Sequence, residues 1–103
     1  MRPLRAVNTV PDDDADLMGR VKAGDPAGAE GLLSRYAGPI LGFTERMLGS
    51  RAEAEEVTQD VFLKMITRCE QYDGRASVST WLFAIAANAC RDRLRSAWRT
   101  TSV

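Results

Sequence analysis

Apolar residues in this chain recur at steps of three and four, and no useful length of it alternates at steps of two. Leu32, Leu33, Tyr36, Ile40, Leu41, Thr44 and Met47 follow one another in that way. So do Val57, Val61, Phe62 and Met65 in "EVTQDVFLKM". A spacing of three and four places side chains on one face of a helix, whereas a half-buried strand needs period two. The chain has 103 residues, 45% of them hydrophobic. That suffices for one domain with one modest core. The expected fold class is all-α, a compact bundle of about four helices.

Punctuation divides the pattern. The aspartates of "DDDADLMGRVKAGD" suit a helix N-terminus, where they cap free N–H groups and meet the positive end of the dipole. Gly24 closes that first helix. Asp25 is the next N-cap and Pro26 sits at the first helical position, where its missing N–H costs nothing. Pro39 lies inside the second pattern, so a kink there or a break near Gly38 is expected. Gly49 stops this element, and "SRAE", Ser50 to Glu53, is a capping box opening a third helix that runs to about Cys69. "EQYDGRAS" is a loop with an Asp73-Gly74 turn signal. Ser77 or Ser79 caps the last helix. Residues 1–12 are expected to be a disordered lead, 13–99 the helical domain and 100–103 a tail.

Several function classes fall away. No stretch reaches the roughly 18 apolar residues of a membrane span. The N-terminal "MRPLRAVNTVPDDDAD" has no apolar segment of a secretory signal, so a cytoplasmic location is the default. Cys69 and Cys90 stand far apart, with no CxxC and no histidine. Buried free thiols are expected, with no zinc site and no cofactor. No phosphate-binding glycine loop and no paired nucleophile and base is present, so an enzyme is not expected. Glu55 and Glu56 fit a solvated helix face better than acid–base work.

The net charge is zero but unevenly spread. Asp12 to Asp60 holds eleven acidic residues against five basic, whereas Arg75 to Val103 holds five arginines against Asp92 alone. The two ends of the domain are expected to face different partners. On the third helix, Ala54, Val57, Thr58, Val61, Phe62, Met65, Ile66 and Cys69 make the core side. Opposite lie Glu56, Gln59, Asp60 and Leu63, an acidic strip with a leucine in it. That strip is either a solvated face or a docking surface for a basic partner. On the last helix, Val78, Trp81, Leu82, Ile85, Ala86 and Ala89 face inward. Asn88, Arg91, Arg95 and Arg99 form a second strip, either a solvated arginine-rich end or a row of phosphate and base contacts. In the loop before it, Tyr72 offers an aromatic face, Arg75 a charge, and Asp73, Gly74 and Ser77 hydrogen-bonding groups, as in proteins that hold unpaired strands; the alternative is a simple helix-connecting turn, which Asp73-Gly74 alone would explain.

Three linked blocks, "DADLMGRVKAGDPAGAEGLLSRYAGPI", "RMLGSRAEAEEVTQDVFLKM" and "YDGRASVSTWLFAIAANACRDRLR", resemble region 2 of the bacterial extracytoplasmic-function sigma factors. The resemblance covers about Asp14 to Arg95. It implies a transcription initiation subunit of RNA polymerase. The acidic helix would bind the clamp coiled coil of the largest polymerase subunit through Glu56, Gln59, Asp60 and Leu63, with Phe62 turned inward. The loop Tyr72, Asp73, Gly74, Arg75, Ala76 and Ser77, backed by Asn88, Arg91 and Arg95, would recognise the minus-10 element of the promoter and hold its melted non-template strand. Trp81 would belong to the core. An anti-sigma factor is a plausible further partner. The family adds a helix-turn-helix domain that reads the minus-35 element. The 103 residues leave no room for it, so an excised domain is expected in preference to a stand-alone module. Ala87 carries no charge where the family often has an arginine before the asparagine. The alternative reading is a helical interaction module that binds polymerase or an anti-sigma factor without reading DNA.

Overall fold

The computed structural model describes residues 13–101. The stretch expected as a disordered lead lies outside them. Four helices follow in order: α1 Asp14–Lys22, α2 Pro26–Leu48, α3 Arg51–Thr67 and α4 Val78–Thr101, with a single 3-10 turn, Cys69–Gln71, between α3 and α4. There is no strand among the described residues, and the all-α expectation holds.

Each helix starts where the sequence places a cap. Asp13 accepts a hydrogen bond from the Asp16 N–H at 2.8 Å, Asp25 from Ala27 at 3.0 Å, Ser50 from Glu53 at 3.2 Å and Ser77 from Thr80 at 3.1 Å. Each bond satisfies a donor left free in the first turn of the helix. Ser77 is therefore the cap of α4, and Ser79 lies inside the helix.

Two boundaries differ from expectation. α2 runs through Pro39 as one helix of 23 residues, with no break at Gly38. A proline removes one hydrogen bond, but Pro39 and Gly38 are exposed. Packing on either side, at the buried Leu32, Ile40 and Thr44, keeps the helix together. α3 stops at Thr67, and Cys69 enters the core from the 3-10 turn.

The core is drawn from all four helices: Leu17, Met18 and Val21 of α1, Leu32 and Ile40 of α2, Val57, Val61, Phe62 and Met65 of α3, and Val78, Leu82, Ala86 and Cys90 of α4. Each large apolar side chain so buried contributes about 1.5–3 kcal/mol relative to exposure. Trp81, Ile85 and Ala89 pack against this cluster, as their helical spacing implies. Phe43 and Phe83 meet edge to face, with ring centroids 5.5 Å apart. The two buried hydroxyls, Thr44 and Thr58, lie 3.2 Å apart, and Thr44 also donates to the Leu41 carbonyl. Neither polar group is stranded. Both cysteines are free and buried. Burial pushes the Cys90 thiol above its ordinary value, although Arg93 and Arg91 pull it down.

α1 has only nine residues, too few to be stable alone. Its partner is a glycine-notched face of α2. A Cβ built on Gly28 would come 2.5 Å from the Leu17 carbonyl oxygen and 2.6 Å from the Val21 nitrogen. One on Gly31 would come 2.7 Å from the Leu17 side chain. Backbone meets backbone at Gly28, so no rotamer change can relieve a larger residue there. Gly28→Ala is therefore expected to destabilise the domain by about 1–3 kcal/mol, as overpacking does, despite alanine's better helix propensity. Thermal unfolding followed by circular dichroism reads this directly. An unchanged or raised melting temperature would mean that α1 sits farther from α2.

Candidate functional site

Two surfaces carry the sequence-predicted residues. On α3, Gln59, Asp60 and Leu63 are exposed on one strip, and Leu63 retains 59% of its accessible surface. Glu56 belongs to the same strip but is already engaged. Its carboxylate accepts from Arg93 Nη1 of α4 at 3.0 Å, and Glu53 stands 3.8 Å from the same nitrogen. Sequence reasoning missed Arg93, because it lies off the arginine strip and pairing across helices leaves no mark in spacing.

The apolar part of this surface is larger than a lone leucine. Leu33 of α2 joins Thr58, Gln59, Phe62, Leu63 and Ile66 around an open cleft of about 390 Å³. Ile66, assigned to the core side from sequence, is 47% exposed, and Leu33 is 45% exposed. Such a contiguous patch differs from a scattered surface leucine, because it offers enough area for another chain to bury. The wheel held a signal for Ile66. At about 100° per residue it lies roughly 20° from Gln59. Leu33 gave none, since its side of α2 is the core side. The cleft between α2 and α3 leaves it uncovered.

The second surface is built from the loop and α4. Asn88, Arg91, Arg95 and Arg99 are exposed along α4. Arg91 donates to the Asn88 side-chain oxygen, and Arg95 to Asp92 at 2.7 Å. These in-helix partners hold the guanidinium groups along the strip, and such exposed pairs are weak enough to yield to phosphate. Asp73, Gly74, Arg75, Ala76 and Ser77 are exposed, and Tyr72 at the loop's root is half-buried. Gly74 has φ +83°, a left-handed turn that a residue with a Cβ adopts only with strain. Asp73 accepts from the Arg75 N–H at 3.0 Å, closing a local turn. The Tyr72 hydroxyl donates to the Ala76 carbonyl at 2.6 Å, and its ring lies tilted against Trp81, with centroids 5.3 Å apart.

Beside this loop opens a cleft of about 540 Å³, lined by Asp13, Asp14, Ala15, Arg35, Tyr72, Ser77 and Val78. Asp14 forms its acidic wall. It accepts from Arg35 Nη1 at 2.6 Å and from the Tyr36 hydroxyl. Sequence reasoning did not bring α1 and α2 to this site, because only the packing of α1 sets Asp14 against them.

The model of sigma-70 region 2 matches residues 32–100. The chain belongs to the sigma-70 region 2 family. Among relatives, it is 34% identical over 76 residues to the ECF RNA polymerase sigma factor SigW of Bacillus subtilis, covering 74% of this chain and 41% of that protein. It is 38% identical over 78 residues to the RNA polymerase sigma factor CarQ of Myxococcus xanthus, covering 76% of this chain and 45% of that one. The chain thus spans less than half the length of these relatives. An engineered region 2 of sigmaE, solved by NMR in complex with GTAAAA, superposes with a TM-score of 0.78 at 27% identity, over 88% of this chain and 95% of that one. The resemblance to extracytoplasmic-function sigma factors therefore holds. Among the described residues, no helix of this sigma-70 region 2 chain is long and apolar enough to cross a membrane.

The Tyr36–Asp14 contact has a pH signature. Burial first, then the hydrogen bond to Asp14 and its negative charge, push the Tyr36 hydroxyl above its ordinary value of 10.0. A raised folded value means that the contact stabilises fully below the unfolded value and is lost as pH rises through the folded one. The melting temperature is expected to fall as the buffer is raised above pH 10. Tyr36→Phe should flatten the fall, leaving the share due to the buried Cys90 thiol. Identical pH profiles for parent and variant would remove this contact from the stability balance.

Proposed function

We propose that this chain is the region 2 module of a transcription initiation factor. It docks on core RNA polymerase and recognises and opens the promoter minus-10 element. The observation that carries the reading is the pairing of two unlike surfaces on one four-helix body: an acidic and apolar face on α3, and an arginine strip beside an exposed turn on α4. The likeness to a region 2 bound to GTAAAA supports the second surface. The module performs binding, and the polymerase performs the chemistry.

Docking rests on Gln59, Asp60 and Leu63, with Leu33 and Ile66 extending the apolar part. Burying Leu63 against a partner supplies energy, and the carboxylates select the basic face of the clamp coiled coil of the largest polymerase subunit. Glu56 contributes less to the first encounter, because Arg93 already neutralises it. The same apolar cleft suits an anti-sigma factor, which would compete with polymerase for it. On the other surface, Arg91 and Arg95 follow phosphates of the non-template strand, Asn88 reaches a base edge, and Tyr72 to Ser77 surround an unstacked base. Flipping a base out of the stack exposes edges that a duplex hides.

Leu63→Ala and Asp60→Arg are expected to weaken binding to core polymerase while leaving helicity and melting nearly unchanged. Loss of an exposed anchor costs about 1–2 kcal/mol. Binding by both variants at the parent level would end the docking assignment. For DNA, anisotropy titrations are expected to favour the single-stranded non-template segment over its duplex. Arg91→Ala and Arg95→Ala should weaken every sequence alike. Each should flatten the slope of log affinity against log salt by about 0.7, the share of one single-strand phosphate. Tighter binding to duplex, or retained polymerase docking with no DNA binding at all, would favour an interaction module that does not read DNA.

A further inference from the structure

The loop meant to read a base is exposed at its tip, yet it is tied down at its root. The Arg75 and Asp73 side chains retain 91% and 63% of their accessible surface. Behind them, Lys22, the last residue of α1, reaches across 50 positions of sequence and donates from Nζ to the Tyr72 carbonyl at 2.7 Å. The same ammonium lies 5.7 Å from the centroid of the Tyr72 ring. The Tyr72 hydroxyl in turn spans the loop to the Ala76 carbonyl at 2.6 Å.

Tyr72 thus uses its carbonyl on one helix and its hydroxyl on the far arm of its own loop. We infer that Lys22 and the Tyr72 hydroxyl form a brace that sets the loop conformation in which a base is read, so that both act as positioning residues for base selection. The inference rests on the DNA-reading role proposed above and assigns a task within it. Its reason is energetic. A loop that must be ordered at the moment of binding loses affinity to that ordering, whereas one already held does not. Only the preferred base needs the loop in register. Strands held merely by the arginine strip do not. Loss of the brace therefore lowers discrimination rather than general affinity.

Two other roles for these residues give different outcomes. A lysine that contacts phosphate would weaken all strands equally when lost, and would flatten the salt dependence. A tyrosine that acts by stacking alone would be unaffected by Tyr72→Phe, which keeps the ring and removes only the hydroxyl.

The test uses the 103-residue chain, the hexamer GTAAAA and its single-base variants, read by anisotropy at several salt concentrations. Lys22→Gln and Tyr72→Phe are expected to reduce the ratio between best and substituted strands about two- to tenfold, the span of one hydrogen bond. In Lys22→Gln the weakest strands should be bound as by the parent. Lys22→Arg, which keeps a cationic donor, should restore the ratio. Without DNA, amide exchange of Gly74 to Ser77 should quicken in Lys22→Gln and Tyr72→Phe and leave the core of α2 unchanged. Unaltered discrimination in both variants overturns the brace. So does uniform weakening with a flattened salt slope, or unaltered exchange. A parent chain with no base preference overturns the DNA-reading role itself and the brace with it, a failure visible before any variant is made.

Discussion

The close approach of α1 to α2 at Gly28 governs where the working parts of this domain lie. α1 is too short to hold its shape alone, so its position depends on this contact and on Leu17, Met18 and Val21 beneath it. Once α1 is seated, its two ends acquire tasks. Asp14 at the beginning meets Arg35 and Tyr36, and Lys22 at the end meets the root of the loop. A missing Cβ in α2 is thereby transmitted to a carbonyl at position 72. Local propensity explains none of this, because a glycine inside a helix costs stability relative to alanine. Packing explains it.

α3 and α4 carry opposite charges on their outer faces and are stitched by Arg93 to Glu53 and Glu56. Such part-exposed pairs are individually weak. Their consequence here is spatial. They engage Glu53 and Glu56, while Asp60 stays exposed on the strip with Leu63.

Much of the fold was legible in the residues, since caps and spacing act locally. Asp13, Asp25, Ser50 and Ser77 each mark a helix start by the same chemistry, and each does so in the structure. The break considered near Gly38 does not occur, because the local penalty of Pro39 is outweighed by tertiary packing of the two halves of α2. Ile66 misled because a helical wheel gives a direction without saying how far the neighbouring helix extends. Within the candidate site, the exposed strips on α3 and α4 followed from periodicity. Leu33, Arg93, Lys22 and Asp14 did not, since each enters the site from an element far away in sequence. Pairings of that kind are decided only when the helices are stacked.

Ser77 closes the loop and caps α4 with one hydroxyl, which accepts from the Thr80 N–H. The turn and the longest helix therefore share a single residue, while residues 73–76 before it are exposed. The side chains of Asp73, Arg75 and Ala76 thus stand on a fixed frame. Under the DNA-reading role proposed above, exchanging Asp73, Arg75 or Ala76 would redirect which sequence is preferred at little cost to folding, whereas Gly74 is held by its left-handed backbone and altering Ser77 would disturb loop and helix at once. Under that role the preferred site changes one exposed side chain at a time, without renegotiating the fold.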